Sequence, residues 1–196
     1  MKHPPENLLQ KYSHDESIVF LLRHGQILGS GKKRFIGITD VRLDPTGVLQ
    51  AEYWKQAFTR IHLDAIFSSS LDRCRHTASM IATDQKMITS PALNEINMGS
   101  WDGETFDQIK TDHAIEFKKR GDRIDTFKTL NGESFYDVSC RVIPFFDQCI
   151  NGMGKKILII THAGVIRVIL CHVLNLKLKQ LFQIKVSYGQ LFVLQK

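Results

Sequence analysis

Two apolar runs stand out along the chain, Ile18-Val19-Phe20-Leu21-Leu22 and Ile157-Leu158-Ile159-Ile160. In each, both alternate faces are apolar, as expected of strands buried on both sides of a parallel sheet. Each run ends in a polar step carrying a histidine, Arg23-His24 in the first and Thr161-His162 in the second. Ala65 to Ser68 reads as a short strand, Met87 to Thr89 as another, and Tyr188 to Leu194 as the closing one. Helical periodicity fills the intervals. Asp44-Pro45 gives an N-cap and a proline at the first helical position, opening a helix through Leu49, Tyr53 and Ala57 to about Arg60. Further helices are expected from Leu71 to Ala82, from Thr105 to Lys119, from a Ser134/Asp137 capping box to Ile150, and from Gly164 to Leu174. Pro144 should kink or break the helix that the capping box opens. Gln26 to Thr39 is a loop rich in Gly and Lys, and the stretch from Ser90 to Gly132 is otherwise irregular. Alternating strands and helices predict an α/β fold, a three-layer α/β/α sandwich with a mainly parallel sheet. No repeat or linker divides it. The expected organisation is a polar N-terminal extension, residues 1–17, and a single domain, residues 18–196.

Length and composition agree with this picture. A chain of 196 residues suits one domain that buries roughly 70% of its unfolded surface. The formal charge of +6 and a pI near 9.2 favour anionic partners without separating nucleic acid from a small phosphorylated molecule. Lys32-Lys33-Arg34 and Lys118-Lys119-Arg120 are the only basic triplets, and a solvated face is their ordinary reading. They lack the aromatic interleaving of a nucleic-acid surface, so no nucleic-acid partner is expected. Cys74, Cys140, Cys149 and Cys171 form no C-x-x-C pair and read as buried free thiols of a reducing compartment. Residues 1–17 do not resemble a signal peptide and no apolar window is long enough to span a bilayer, so a cytoplasmic location without membrane association is expected.

The chemistry concentrates at strand ends. Ligands of open parallel sheets bind outside the carboxyl ends of the strands, where His24 and His162 both fall, each close to a glycine. His3, His14, His62, His76, His113 and His172 have no such setting and read as structural or surface residues. Arg23 adjoins His24, and Arg73 follows the second strand. Two guanidiniums and two imidazoles converging there would make a pocket for a tetrahedral anion, because the arginine fork matches phosphate oxygens. Backbone N–H groups after His162, at a helix start, would add donors. The cations would hold down a neighbouring histidine pKa and keep its lone pair available.

Leu22-Arg23-His24-Gly25 resembles the R-H-G signature of the histidine phosphatase superfamily, which includes phosphoglycerate mutases and α-ribazole phosphatases. Further segments follow in that family's order. Arg34-Phe35-x-Gly37-x-x-Asp40 resembles R-[FY]-x-G-x-x-D, and Leu43-x-x-x-Gly47-x-x-Gln50-Ala51 resembles L-T-x-x-G-x-x-Q-A. Ser69-x-Leu71-x-Arg73-Cys74-x-x-Thr77-Ala78 is similar to S-x-L-x-R-A-x-x-T-A. Leu93-x-Glu95 with Gly99-x-Trp101-x-Gly103, then Gly132-Glu133-Ser134, then Thr161-His162-Ala163-Gly164-Val165-Ile166-Arg167 complete the series. The resemblance implies a phosphoglycerate mutase-like fold, no metal or other cofactor, and a phosphohistidine at His24. It implies that Arg23, Arg73 and His162 hold the transferred phosphoryl group. Glu95 would protonate the leaving alkoxide and then activate water.

Some positions depart from the pattern. Ile27 stands where Ser or Thr is usual, Ser30 where Asn is frequent, and Ala163 replaces the first glycine after the histidine. Ser30 and Ala163 remain candidate phosphate or substrate contacts, and Trp101 and Phe106 suit either the substrate or the core. The compact Gly-x-Trp-x-Gly segment, in place of the mutases' longer insertion and their N-E-R-x-Y-G, resembles the phosphatase branch. Within it, the chain looks most like α-ribazole phosphatases of cobalamin assembly, with broad-specificity sugar or nucleotide phosphatases beside them. The expected partner is a small phosphorylated metabolite, and a homodimer is left open. A His24/His162/Glu95 zinc site is disfavoured because two adjacent arginines would repel a dication. A catalytically silent phosphate-binding module does not explain why both histidines, both arginines and Glu95 are all present.

Overall fold

A computed structural model describes residues 9–12, 17–82, 85–151 and 156–195. Its sheet has five strands in the order β3-β2-β4-β1-β5. These are β1 (Ile18–Arg23), β2 (Ala65–Ser69), β3 (Met87–Ser90), β4 (Lys156–Thr161) and β5 (Leu191–Gln195). β5 runs antiparallel to β1, and the other pairings are parallel. The apolar runs of β1 and β4 serve two cores because alternate side chains leave opposite faces. Val19, Leu21, Ile157 and Ile159 join one cluster, while Ile18, Phe20, Leu22, Leu158 and Ile160 join the other. Each such side chain, fully buried, contributes roughly 1.5–3 kcal/mol.

α1 (Pro45–Phe58) and α2 (Asp72–Ile81) cover the second cluster, while α5 (Phe135–Ile150) and α6 (Ala163–Val173) cover the first. This is the expected three-layer sandwich. The caps form as the sequence indicates. The Asp44 carboxylate accepts the Gly47 N–H at 2.7 Å, and Ser134 and Asp137 make a reciprocal capping box.

Several expectations need correction. The single helix expected from Thr105 to Lys119 is two, α3 (Phe106–Asp112) and α4 (Ala114–Asp122), broken at His113 with φ −131° and ψ 43°. Only Ile109 is buried in α3 and nothing is buried in α4, so no apolar stripe holds them to one axis. α5 runs on through Pro144 without a break. The carbonyl deprived of its N–H partner belongs to Cys140, an exposed residue. All four cysteines are free, but Cys140 is exposed and Cys149 half-buried, unlike Cys74 and Cys171. Cys140 sits off the Val138–Val142–Phe146 stripe that α5 turns to the core.

Part of the supposed polar extension is docked. Leu9 is buried in the second cluster, and the Tyr12 ring meets Phe20 edge-on at 6.0 Å. Residues 1–8 and 13–16, with His3 and His14, lie outside the described residues. Among those described, no helix is long and apolar enough to cross a membrane.

Candidate active site

The parallel pairing of β1 with β4 sets Arg23 opposite Thr161, and the His24 N–H extends the ladder by donating to Thr161 O at 3.0 Å. His24 and His162 therefore leave adjacent strands side by side, with ring centroids 5.1 Å apart. Arg73, in the first turn of α2 beyond β2, reaches the same point. Its Nε–H donates to His162 Nδ1 at 3.2 Å, while its terminal nitrogens donate to Thr39 O at 2.8 Å and Gly37 O at 2.6 Å. Three of the five guanidinium N–H groups are thus engaged, which fixes the plane and leaves two for a ligand. Arg23 donates to Val186 O at 2.9 Å and stacks 3.7 Å over the Tyr188 ring, while its buried Nε has no hydrogen-bond partner among the described residues.

The ring of His24 has a defined polarity. Its Nδ1 lies 2.7 Å from Gly25 O. A carbonyl oxygen only accepts, so Nδ1 carries the proton and Nε2 keeps its lone pair. Burial holds the His24 pKa well below the ordinary histidine value, and the charges of Arg23 and Arg73 add to the effect. The ring is neutral at physiological pH.

His162 occupies a different position from the one expected of a phosphoryl contact. It is fully buried and behind Arg73, with Nδ1 accepting from that arginine and Nε2 2.8 Å from Ser69 Oγ. The guanidinium can only donate to Nδ1, so Nε2 carries the proton and points it at the serine. Burial and Arg73 hold its pKa down as well. Cys74, standing where the family pattern has alanine, packs its Sγ 3.3 Å from His162 Nε2, and burial pushes that thiol up and out of reach of ionisation.

Glu95 faces these groups across the cavity. Its carboxylate accepts the Ile96 N–H at 3.0 Å and the Gly164 N–H at 3.1 Å. The start of α6 thus receives Glu95, and the Gly164 N–H expected to serve the phosphate is spent on this carboxylate. A Cβ at Gly164 would lie 2.3 Å from Glu95 Oε1, so glycine here lets the carboxylate rest against the helix start. These engagements also work against the zinc arrangement. Both His162 nitrogens and both Glu95 oxygens have protein partners, with two arginines beside them.

Around these groups opens a cavity of about 680 Å³. Ser30 and Ala163 line it, as does Phe106, stacked on Phe35 at 4.0 Å. Trp101 is a core residue, 3% exposed. Ile27 is buried and bridges Leu43, so the missing hydroxyl at this position is replaced by apolar wall. Tyr188 and Arg167 also line the cavity; Arg167 closes the Thr161–Arg167 motif, whereas no local signal sets Tyr188 apart.

The sequence profile of the histidine phosphatase superfamily (branch 1) matches residues 19–195. The chain belongs to the histidine phosphatase superfamily. It is 29% identical over 179 residues to a 2,3-bisphosphoglycerate-dependent phosphoglycerate mutase of Cytophaga hutchinsonii, covering 88% of this chain and 84% of that one. Its fold is similar to that of the α-ribazole phosphatase from Shigella flexneri, with a TM-score of 0.83 at 22% identity over 90% of this chain and 89% of that one. It is likewise similar to that of a mycobacterial glucosyl-3-phosphoglycerate phosphatase solved with VO3, with a TM-score of 0.81 at 23% identity over 90% and 92%.

In this histidine phosphatase the remaining motif residues build supports for the reactive groups. A Cβ at Gly25 would meet Gly47 O at 2.4 Å, so the glycines of two separate motifs let the His24 turn press against the start of α1. Asp102 accepts the Gly37 and Ile38 N–H groups at 3.0 and 2.8 Å, holding the loop whose carbonyls fix Arg73. Arg141 pairs through both Nε and Nη2 with Glu133, at 2.9 and 3.0 Å, and also donates to Ala92 O and Glu95 O. That pair ties down the segment carrying Glu95. Burial pushes the Glu133 carboxyl up, but hydrogen bonds from Arg141 and the Asn97 N–H outweigh it and hold the group below the usual range.

Proposed function

We propose that this protein is a phosphomonoesterase that passes the phosphoryl group of a small phosphorylated metabolite to His24 and then to water. The observation that carries the reading is the state of His24: buried and neutral, with its Nδ1 proton given to Gly25 O and its Nε2 lone pair kept beside Arg23 and Arg73. Nε2 attacks phosphorus as the bond to the ester oxygen breaks, and Glu95 gives its proton to the departing alkoxide. Water then attacks the phosphohistidine, Glu95 takes the proton, and phosphate leaves with His24 restored. The free N–H groups of Arg73 and the unpartnered Nε of Arg23 suit the charge that builds on the phosphoryl oxygens. His162 orients the Arg73 guanidinium. A direct bond from His162 to the phosphoryl group requires it to release Arg73 or Ser69 when substrate binds.

The roles assigned to these residues need no metal ion. The free thiols suit a reducing compartment such as the cytoplasm. α-Ribazole 5′-phosphate is a substrate to assay, suggested by the name of the Shigella protein. A second reading, phosphoryl transfer within a phosphoglycerate, is favoured by the 29% identity to the Cytophaga mutase. Incubation with p-nitrophenyl phosphate, sugar phosphates and 3-phosphoglycerate, each with and without EDTA, separates the possibilities. The expected result is EDTA-insensitive phosphate release that is lost in His24→Ala. Conversion of 3-phosphoglycerate to its 2-isomer without phosphate release would establish the mutase instead, and a metal requirement would revive the zinc site.

A further inference from the structure

The reaction just described leaves one wall of the cavity without a task. Lys32 and Lys33, which the sequence suggests are part of a solvated face, line the same cavity as His24 and Arg73, together with Arg34 and Arg167. Glu95 is the only acidic residue among the described residues that line it. A phosphoryl dianion is matched by Arg23 and Arg73, so the wall keeps a large positive excess after the transferred group is bound. Arg34 is partly used, donating to Gly103 O at 3.1 Å, and Arg167 donates to Ile184 O at 3.0 Å. The ammonium groups of Lys32 and Lys33 make no hydrogen bond or ion pair among the described residues.

The backbone beneath the lysines is fixed. Leu28 N–H donates to Arg42 O at 3.0 Å and Phe106 N–H to Lys33 O at 3.0 Å, while Arg34 bridges Thr105. The two lysines are thus anchored at the cavity wall, and the apolar side chains of Ile36 and Phe106 line the same space. Such a surface suits an alcohol fragment that has an apolar middle and carries a negative charge of its own.

Resting on the phosphomonoesterase reading, we propose that Lys32 and Lys33 form a second anion subsite that binds a phosphate on the alcohol portion of the substrate. The preferred substrate is then a bisphosphorylated small molecule hydrolysed at one end. Phosphate fits better than carboxylate. Two mobile ammonium groups offer six donors around a dianion, whereas a carboxylate is matched by a single planar guanidinium fork. A substrate with a neutral leaving group, such as α-ribazole 5′-phosphate, leaves this subsite empty.

The test compares kcat/KM for fructose 1,6-bisphosphate with fructose 6-phosphate, and for adenosine 3′,5′-bisphosphate with adenosine 5′-monophosphate, in the full chain. p-Nitrophenyl phosphate serves as the reference ester. The subsite predicts that at least one bisphosphate exceeds its monophosphate by roughly tenfold, the scale set by two exposed charge contacts. In the Lys32→Gln/Lys33→Gln double variant that ratio should fall to near one, with the melting temperature retained. Both bisphosphates at or below their monophosphates, or a preference that survives in the double variant, would overturn the subsite. If no ester were turned over, p-nitrophenyl phosphate included, the phosphomonoesterase reading itself would fall.

Discussion

Gly164→Ala separates helix propensity from active-site geometry. Gly164 is in the first turn of α6, where alanine on propensity alone would stabilise by up to about 1 kcal/mol. The added Cβ, however, would stand 2.3 Å from Glu95 Oε1 and 3.1 Å from Phe135 Cε1, against 3.4 Å or more for an ordinary contact. The Phe135 contact gives by a few tenths of an ångström, but the carboxylate must withdraw by about 1 Å, a misplacement that can cost on the order of 10²-fold in rate. It lines the cavity and has space to move into, so the fold should survive, with stability within about 1 kcal/mol of wild type. Loss of the acid matters only when the leaving group needs a proton. Phosphoenzyme formation in single turnover should therefore fall roughly 10²-fold for an alkyl phosphate and less than about tenfold for p-nitrophenyl phosphate. A folded variant with an alkyl phosphate rate within about threefold of wild type would refute the placement of Glu95 as the acid. Equal losses on both substrates would mean that the carboxylate only shapes the pocket.

Arg73→Lys should not rescue function, because the fork holds Gly37 O, Thr39 O and His162 at once; a loss of about 2–4 kcal/mol in transition-state stabilisation is expected from kcat/KM. His24 and His162 stay neutral in the fold while the unfolded chain protonates near pH 6.5. Stability is therefore complete above that pH and falls below it, by as much as about 1.4 kcal/mol for each histidine at pH 5.5. Urea unfolding at pH 7.5 and 5.5 reads this directly, and a flat profile would contradict the buried neutral pair. Gly121→Ala, at a position in α4 where a Cβ meets nothing within 4 Å, should raise stability by about 0.4–1 kcal/mol in the same assay without altering kcat/KM.

What the sequence reveals and what it hides divide along physical lines. The β1 and β4 runs, the Asp44-Pro45 helix start and the Ser134/Asp137 box are local signals, and each formed as expected. His24, Arg23 and Arg73 were legible because a strand's end in a parallel sheet defines a location in space. The fate of individual nitrogen atoms was not legible. His162 lies behind Arg73 because Ser69, some ninety residues earlier in the chain, takes its Nε2. The Arg141–Glu133 support for the Glu95 segment likewise depends on long-range packing, although the Glu133 of Gly-Glu-Ser was a cue. Lys32 and Lys33 looked like an ordinary surface pair because a charge run says nothing about which cavity it borders. The split at His113 was missed because periodicity marks an apolar stripe but not whether a core exists to hold it.

If His24 Nε2 is the atom that accepts the phosphoryl group, the position of the phosphate on the ring reveals it. The protein is quenched in alkali during turnover of a phosphodonor, digested, and analysed by ³¹P NMR and mass spectrometry for the isomer of phosphohistidine. Because Gly25 O holds the Nδ1 proton at 2.7 Å, Nε2-phosphohistidine is expected at residue 24 and none in His24→Ala. Phosphate on Nδ1, on another residue, or absent while turnover continues would contradict it.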